Sequence, residues 1–237
     1  MSLTIEQYDD PLDPYGWALE PVRRRLEVGF PDADWHIHPS GMVESWDDYE
    51  GTEVTGGKNG MAAVCARVGE THSMPIDEYL WFDDPPTSSW PACRAVAAAG
   101  LQGVDAQRRL LRACREATFL RRRPVSDDAV LDDLFEDAGV DAAAVRNALE
   151  NGEAEERFAE SRRAASDLDA PGVRRAGGRC ELPTFVVRDG DAARAVSGVA
   201  PVEDFHRAID EVAGCAPRDV DLGVAEVVER YSPEGWV

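Results

Sequence analysis

Apolar and polar positions alternate at the start of the chain and then give way to helical spacing. A short β-prone run from Leu3 to Tyr8 leads into a tight turn, after which Leu19, Val22 and Leu26 recur at helical intervals. Asp13 followed by Pro14 is a good helix start, because Asp caps the first free N–H groups and Pro needs no donor at the first position. Trp35 and Ile37 then alternate with His36 and His38, which predicts a second strand. Residues 39–87 have poor periodicity and are punctuated by Gly56-Gly57, Asn59-Gly60 and Asp83-Asp84-Pro85-Pro86. They read as a long, partly ordered connection that has room for a short helix around Gly60–Val68.

Residues 88–168 read as helical. Asp105 precedes a run with Leu110, Leu111 and Cys114 on its apolar side. Ser126 is the expected cap of a helix that carries Asp127 and Asp128 in its first turn and buries Val130, Leu131, Leu134 and Phe135. Asp141 caps another helix, with Val145 and Leu149 inward and Asn151-Gly152 at its end, and Phe158 anchors a last amphipathic segment. The chain returns to strand at Thr184–Val187, turns at Asp189-Gly190, and pairs back through Ala193–Val196, antiparallel because the turn is short. Val202, Phe205, Ile209 and Val212 mark a final helix. After Gly214 the tail carries Leu222, Val224, Val227 and Val228, compatible with a docked helix.

At 237 residues and 43% hydrophobic, the chain can bury a substantial core. Its net charge of −21 comes from 46 acids against 25 bases, of which Lys58 is the only lysine. Such a surface repels nucleic acid and anionic membrane, so neither is an expected partner. Acid-rich, arginine-over-lysine usage fits adaptation to molar salt, where self-repulsion is screened within about 3 Å. Residues 1–10 have no apolar signal core, and no window approaches the roughly 20 apolar residues of a membrane span, so a cytoplasmic location is expected. Cys65, Cys93, Cys114, Cys180 and Cys215 are odd in number and show no Cys-x-x-Cys spacing, which argues against a disulfide framework and a structural zinc site.

Three blocks carry a family resemblance. Asp10-Pro11-Leu12-Asp13-Pro14-Tyr15-Gly16-Trp17-Ala18-Leu19-Glu20-Pro21 is similar to a family block reading Asp-Pro-Leu-Cys-x-x-Cys-Trp-x-x-Glu-Pro. Ser88-Ser89-Trp90-Pro91-Ala92-Cys93-Arg94-Ala95-Val96, with Gln102-Gly103 and the helix through Leu110, Leu111 and Phe119, resembles the opening of an inserted helical domain. Glu181-Leu182-Pro183-Thr184-Phe185-Val186-Val187 resembles a segment that holds a cis-proline at Pro183. In this order the blocks resemble the DsbA-like thioredoxin-fold family, nearest its FrnE-like and YjbH/SpxH-like branch, which includes an adaptor of the ClpXP protease. The resemblance implies an α/β, thioredoxin-like fold with an inserted all-helical domain. The implied division is 1–87 and 169–214 for the two parts of the thioredoxin-like domain, 88–168 for the insertion and 215–237 for a tail. It also implies that the redox dithiol is missing, because Asp13 and Gly16 stand where the family has cysteines. Asp13 is expected to be ionised against the helix N-terminus.

Several groups are candidates for chemistry. Cys180, three residues before Pro183, is placed by the resemblance near the rim of the former redox site, where a lone thiol could be reactive. Arg179 favours its thiolate and Glu181 opposes it. Cys93 could approach the same groove, while Cys65, Cys114 and Cys215 suit small core positions. His36 and His38 share a strand face, with His72 or His206 as outside ligands, but no third ligand is suitably spaced and no metal is expected. Asp9, Asp10 and Asp13 could form an acid–base pair, although a chain this acidic clusters carboxylates by chance. The related kappa-class glutathione transferases keep a serine that stabilises a bound thiolate; Asp13 would repel one, and no cofactor is expected. Tyr15, Trp17, Tyr79, Trp81 and Trp90 are aromatics that could line a groove or fill the core.

The leading expectation is a redox-inactive protein that binds a polypeptide segment beside Pro183, with Asp13, Pro14, Tyr15, Trp17 and Leu182 along the groove. The rival is a thiol–disulfide oxidoreductase or isomerase that works through a lone thiol such as Cys180.

Overall fold

The computed structural model describes residues 3–45, 56–72, 74–220 and 223. Its central sheet is built from β1 (Thr4–Asp9), β2 (Asp34–Pro39), β5 (Thr184–Asp189) and β6 (Ala192–Ser197), in the order β2-β1-β5-β6. β1 runs parallel to β2 and antiparallel to β5, and β5 pairs antiparallel with β6. A separate two-stranded ribbon joins β3 (Arg175–Ala176) to β4 (Arg179–Cys180).

The parallel pair needs a crossover, and α1 (Pro14–Ala18) with α2 (Glu20–Gly29) supplies it. One sheet face, with Ile5, Trp35, Phe185 and Val187, packs on Leu19 and Leu26 and on Phe205 and Ile209 of α10 (Val202–Ala213). The other face places Tyr8, Val186 and Ala195 against Ala165 and Leu168 at the end of α9 (Glu153–Asp167). Burial of apolar side chains on both faces is the main force holding these layers together.

Between β2 and β5 the chain forms α3 (Gly57–His72), α4 (Leu80–Asp83), α5 (Trp90–Ala99), a short 3₁₀ turn, α6 (Val104–Arg121), α7 (Asp128–Asp137), α8 (Ala142–Asn151) and α9. The helical core formed by Val96, Leu110, Leu131, Leu134, Phe135 and Val145 reaches into the sheet layer through Leu12 and Ile37. Among the described residues, no helix is long and apolar enough to cross a membrane.

Four local expectations change. The connection after β2 contains the sixteen-residue α3, longer than the short helix read from the sequence, because Met61, Ala62, Cys65 and Val68 pack against Trp17 and Trp81. Ser126 does not cap α7: Asp127 is its N-cap residue, and Ser126 Oγ accepts the Thr87 N–H instead at 3.1 Å. In α8, Ala148 is buried beside Val145 while Leu149 is exposed, since the inward stripe falls one residue earlier. Cys215 is only half-buried, at the edge of the sheet core rather than inside it. The expected helix through Leu222, Val224, Val227 and Val228 lies outside the described residues.

Candidate functional site

The C-terminal end of β1, the turn before α1 and the segment entering β5 meet at one end of the sheet. Thr184 pairs with Tyr8, so Pro183 stands at the end of the sheet where Asp9 to Asp13 leave it. The Leu182–Pro183 peptide bond is cis, and the Gly198 N–H donates to the Pro183 carbonyl at 2.7 Å. Ser40, just after β2, donates its N–H to the Asp9 carbonyl at 2.8 Å and closes the third side.

Asp13 is the N-cap of α1; its Oδ1 accepts the Tyr15 N–H at 3.0 Å, with Pro14 following as the first helical residue. The local chemistry is as the sequence suggests, but the charge state is not. Burial raises the Asp13 carboxyl, the Asp9 charge raises it further, and the Tyr15 N–H and Arg115 only partly offset them. The group is pushed up to about 8 and is protonated at neutral pH, so the expectation of an ionised Asp13 is corrected.

Asp9 and Asp10 are equally enclosed. Asp10 accepts the Leu12 N–H at 2.8 Å on one oxygen and, on the other, the Met42 N–H, the Ser89 hydroxyl at 2.8 Å and the Cys93 thiol at 3.4 Å. Asp9 accepts Gln7 Nε2 at 2.7 Å and the Asp10 N–H at 2.8 Å, and pairs with Arg115. All three carboxyls are buried, so none stands open to a substrate as the acid–base pair would require.

Arg115 was not among the residues singled out in the sequence, and it organises the site. It lies fully buried on α6, pairs with Asp9 through Nη2, and reaches Glu20 Oε2 with Nη1 at 3.3 Å. Glu20 also binds Arg23 and Arg24. Burial alone would raise the Glu20 carboxyl; the Arg23 guanidinium outweighs it, with help from Arg115 and Arg112, and holds it at about 2. Gly16 makes room for this network. A β-carbon there would lie 2.2 Å from Asp9 Oδ1 and 2.4 Å from Arg115 Nη2. One signal was available: Arg115 follows Leu111 by four residues, a charge on the apolar stripe of its helix.

The other candidates separate. Trp17 does not line a groove; it is buried in the core beside Met61 and Phe119, and its indole N–H donates to the Pro75 carbonyl at 2.9 Å. Trp81 is buried in the same cluster, Trp90 packs edge-on against Phe158, and Tyr79 is exposed. Asp13, Pro14 and Pro183 are buried, leaving Tyr15 and Leu182 as the partly exposed members of the expected groove. Tyr15 accepts a hydrogen bond on its hydroxyl from Arg67 at 3.2 Å. Cys180 is buried under Tyr8, Leu168 and Val186, not at a rim, and burial pushes its thiol up to about 11. Cys93 sits in a different cluster with Ala97 and Phe158, where burial beside Asp10 raises it well above the usual thiol range. Cys65 and Cys114 are buried, each pushed up to about 12. His36 and His38 keep their shared strand face, where His38 stacks on Tyr8, while His206 packs against Phe30. Among the described residues no three His, Cys, Asp or Glu side chains are placed to hold a metal ion.

A four-stranded mixed sheet of this order, with a βαβ unit, an antiparallel hairpin opened by a cis-proline and helices between them, defines a thioredoxin-fold protein of the DsbA-like kind. The chain belongs to the thioredoxin family whose pattern matches residues 7–206. It is 27% identical over 239 residues to the ClpXP adapter protein SpxH of Halalkalibacterium halodurans, covering 97% of this chain and 74% of that protein. Its fold matches a candidate protein disulfide isomerase of Nitrosomonas europaea with a TM-score of 0.70 at 18% identity, over 89% of this chain and 97% of that one. It also matches the cytosolic disulfide reductase DsbM of Pseudomonas aeruginosa, with a TM-score of 0.63 at 21% identity, over 82% of this chain and 89% of that one.

Proposed function

We propose that this chain is an adaptor-type member of its family that docks a polypeptide segment along the Pro183 loop without dithiol chemistry. The observation that carries the reading is the filling of the turn. Where the resemblance puts two cysteines the chain has Asp13 and Gly16, and the space a side chain at Gly16 would need is taken by the Asp9–Arg115 pair. Docking needs only a backbone edge beside Pro183 and flanking side chains, here Tyr15 and Leu182, while Asp13, Pro14 and Trp17 support the turn from below. The similarity to an adapter favours a protein partner, and the acid-rich, lysine-poor composition favours a cytoplasm of molar salt as its setting.

The rival oxidoreductase reading needs an accessible thiol near Pro183. Cys180 is buried with its thiol held protonated, which weighs against it.

The test is a photo-crosslinker placed at Leu182, with a second one at exposed Glu203 on α10 as control, exposed to extended synthetic peptides in molar KCl. Peptide crosslinks confined to position 182 are expected, and their absence overturns the reading. The same protein is expected to be inert towards a peptide disulfide. Turnover that Cys180→Ser abolishes would establish the rival instead.

A further inference from the structure

A second feature lies at the same end of the sheet. Between Ser40, the last turns of α9 and the β3–β4 ribbon is a cavity of about 400 Å³ whose walls include Arg162, Arg163 and Arg179, with Asp167 as the only acid among its lining residues. In a chain of net charge −21 most arginines are matched: Arg23, Arg94, Arg112, Arg146 and Arg188 each lie within ion-pair distance of a carboxylate. Among the described residues, Arg162, Arg163 and Arg179 have no such partner.

Their geometry is prepared for a ligand. The Arg162 guanidinium lies over the Trp90 ring at 4.2 Å, which fixes its plane and leaves its N–H edges available. Arg179 Nε is buried and has no hydrogen-bond partner. The ribbon wall is held against α9 by Arg175, which donates to the Ser166 and Leu168 carbonyls at 2.8 and 2.6 Å. Glu181, the acid nearest Pro183 in sequence, is engaged by Arg174 at 2.6 Å. Three guanidiniums against one exposed carboxylate leave the cavity short of negative charge, and planar N–H edges suit a carboxylate, which can accept two bonds at once.

We propose that this cavity is a carboxylate-reading subsite, and that the polypeptide segment docking along the Pro183 loop places an acidic side chain in it. The inference rests on the docking reading above and adds the class of segment recognised. Ser40 links the two places, since it lines the cavity and bonds to Asp9 at the end of β1.

The test uses the full chain and three short fluorescein-labelled peptides of equal length, identical except for a cluster of Glu, Gln or Lys, titrated by anisotropy in KCl. The Glu peptide is expected to bind at least about tenfold more tightly than the Gln peptide, with the Lys peptide weakest. The triple variant Arg162→Gln/Arg163→Gln/Arg179→Gln is expected to lose that preference while binding the Gln peptide as the wild type does. Arg207→Gln, on α10, is expected to keep it. Equal binding of the Glu and Gln peptides by the wild type overturns the subsite and leaves the docking reading standing. A triple variant that loses stability but keeps the preference overturns it too, and assigns the arginines to supporting the C-terminal end of α9. Binding of none of the peptides overturns both readings. Competition by inorganic phosphate at concentrations where acetate does nothing overturns the carboxylate assignment.

Discussion

The two ends of the buried charge network behave in opposite ways. At the turn before α1, Asp13 is enclosed beside Asp9 and Asp10 and is pushed up to about 8. Beyond α1, Glu20 is as deeply enclosed but is held at about 2. Burial opposes ionisation in both places, so burial does not distinguish them; their neighbours do. Glu20 faces Arg23, Arg24 and Arg115, whereas Asp13 shares the more distant Arg115 with a carboxylate that already binds it. A buried cation stabilises the charge it touches and leaves the next carboxyl to keep its proton.

The comparison breaks most completely if Arg115 is removed. Arg115→Met leaves Asp9 without its cation and Glu20 with fewer, inside a packed core. The expected loss is about 3–5 kcal/mol in denaturant unfolding at constant KCl. A loss below about 1 kcal/mol would mean that Arg115 does not hold the two ends together.

Asp13 gives the next largest effect, through pH. Its folded value lies above the unfolded one, so the folded state binds the extra proton. Stability is then fully present below about pH 4 and is lost as pH rises towards 8. The slope in that window approaches about 1.4 kcal/mol per pH unit. Asp13→Asn keeps a capping side chain, flattens the slope and gains up to about 4 kcal/mol at pH 7. Unfolding midpoints measured across this range decide the matter, and an unchanged slope would make Asp13 ionised after all.

Local order was legible in the sequence, and long-range pairing was not. The Asp13-Pro14 start, the Trp35 and Ile37 alternation and the Asp141 cap depend on neighbours a few residues away, and each is found where its local chemistry puts it. The length of α3 was hidden by Gly56, Gly57, Gly60 and Gly69, although Met61, Cys65 and Val68 keep a helical stripe. The charge state of Asp13 was hidden for a different reason. It depends on Asp9, on burial and on an arginine carried by α6, and no short motif encodes a contact between residues so far apart in the chain. Cys180 was misplaced in the same way: its nearness in sequence to Pro183 says nothing of the side chains from β1 and α9 that cover it.

Gly16 tests the network from the steric side. A methyl group there meets Asp9 Oδ1 and Arg115 Nη2, atoms that cannot move without breaking the pair. Gly16→Ala is therefore expected to cost about 1–2 kcal/mol, and less in an Arg115→Met background, where the guanidinium is gone and Asp9 is no longer held in place by it. Additive costs in the double variant would mean that the glycine answers to backbone geometry alone.

The smallest effect supplies the reference for the others. Asp141 caps α8 as Asp13 caps α1, its Oδ1 accepting the Ala144 N–H at 3.0 Å, but it stands exposed. Asp141→Ala is expected to cost about 1 kcal/mol, the ordinary worth of a cap, and Asp141→Asn to cost almost nothing. If Asp13→Asn changes stability no more than Asp141→Asn does, the two carboxyls differ only in where they sit. If it changes stability several times more, the excess measures what enclosing a carboxyl beside Asp9 costs this fold.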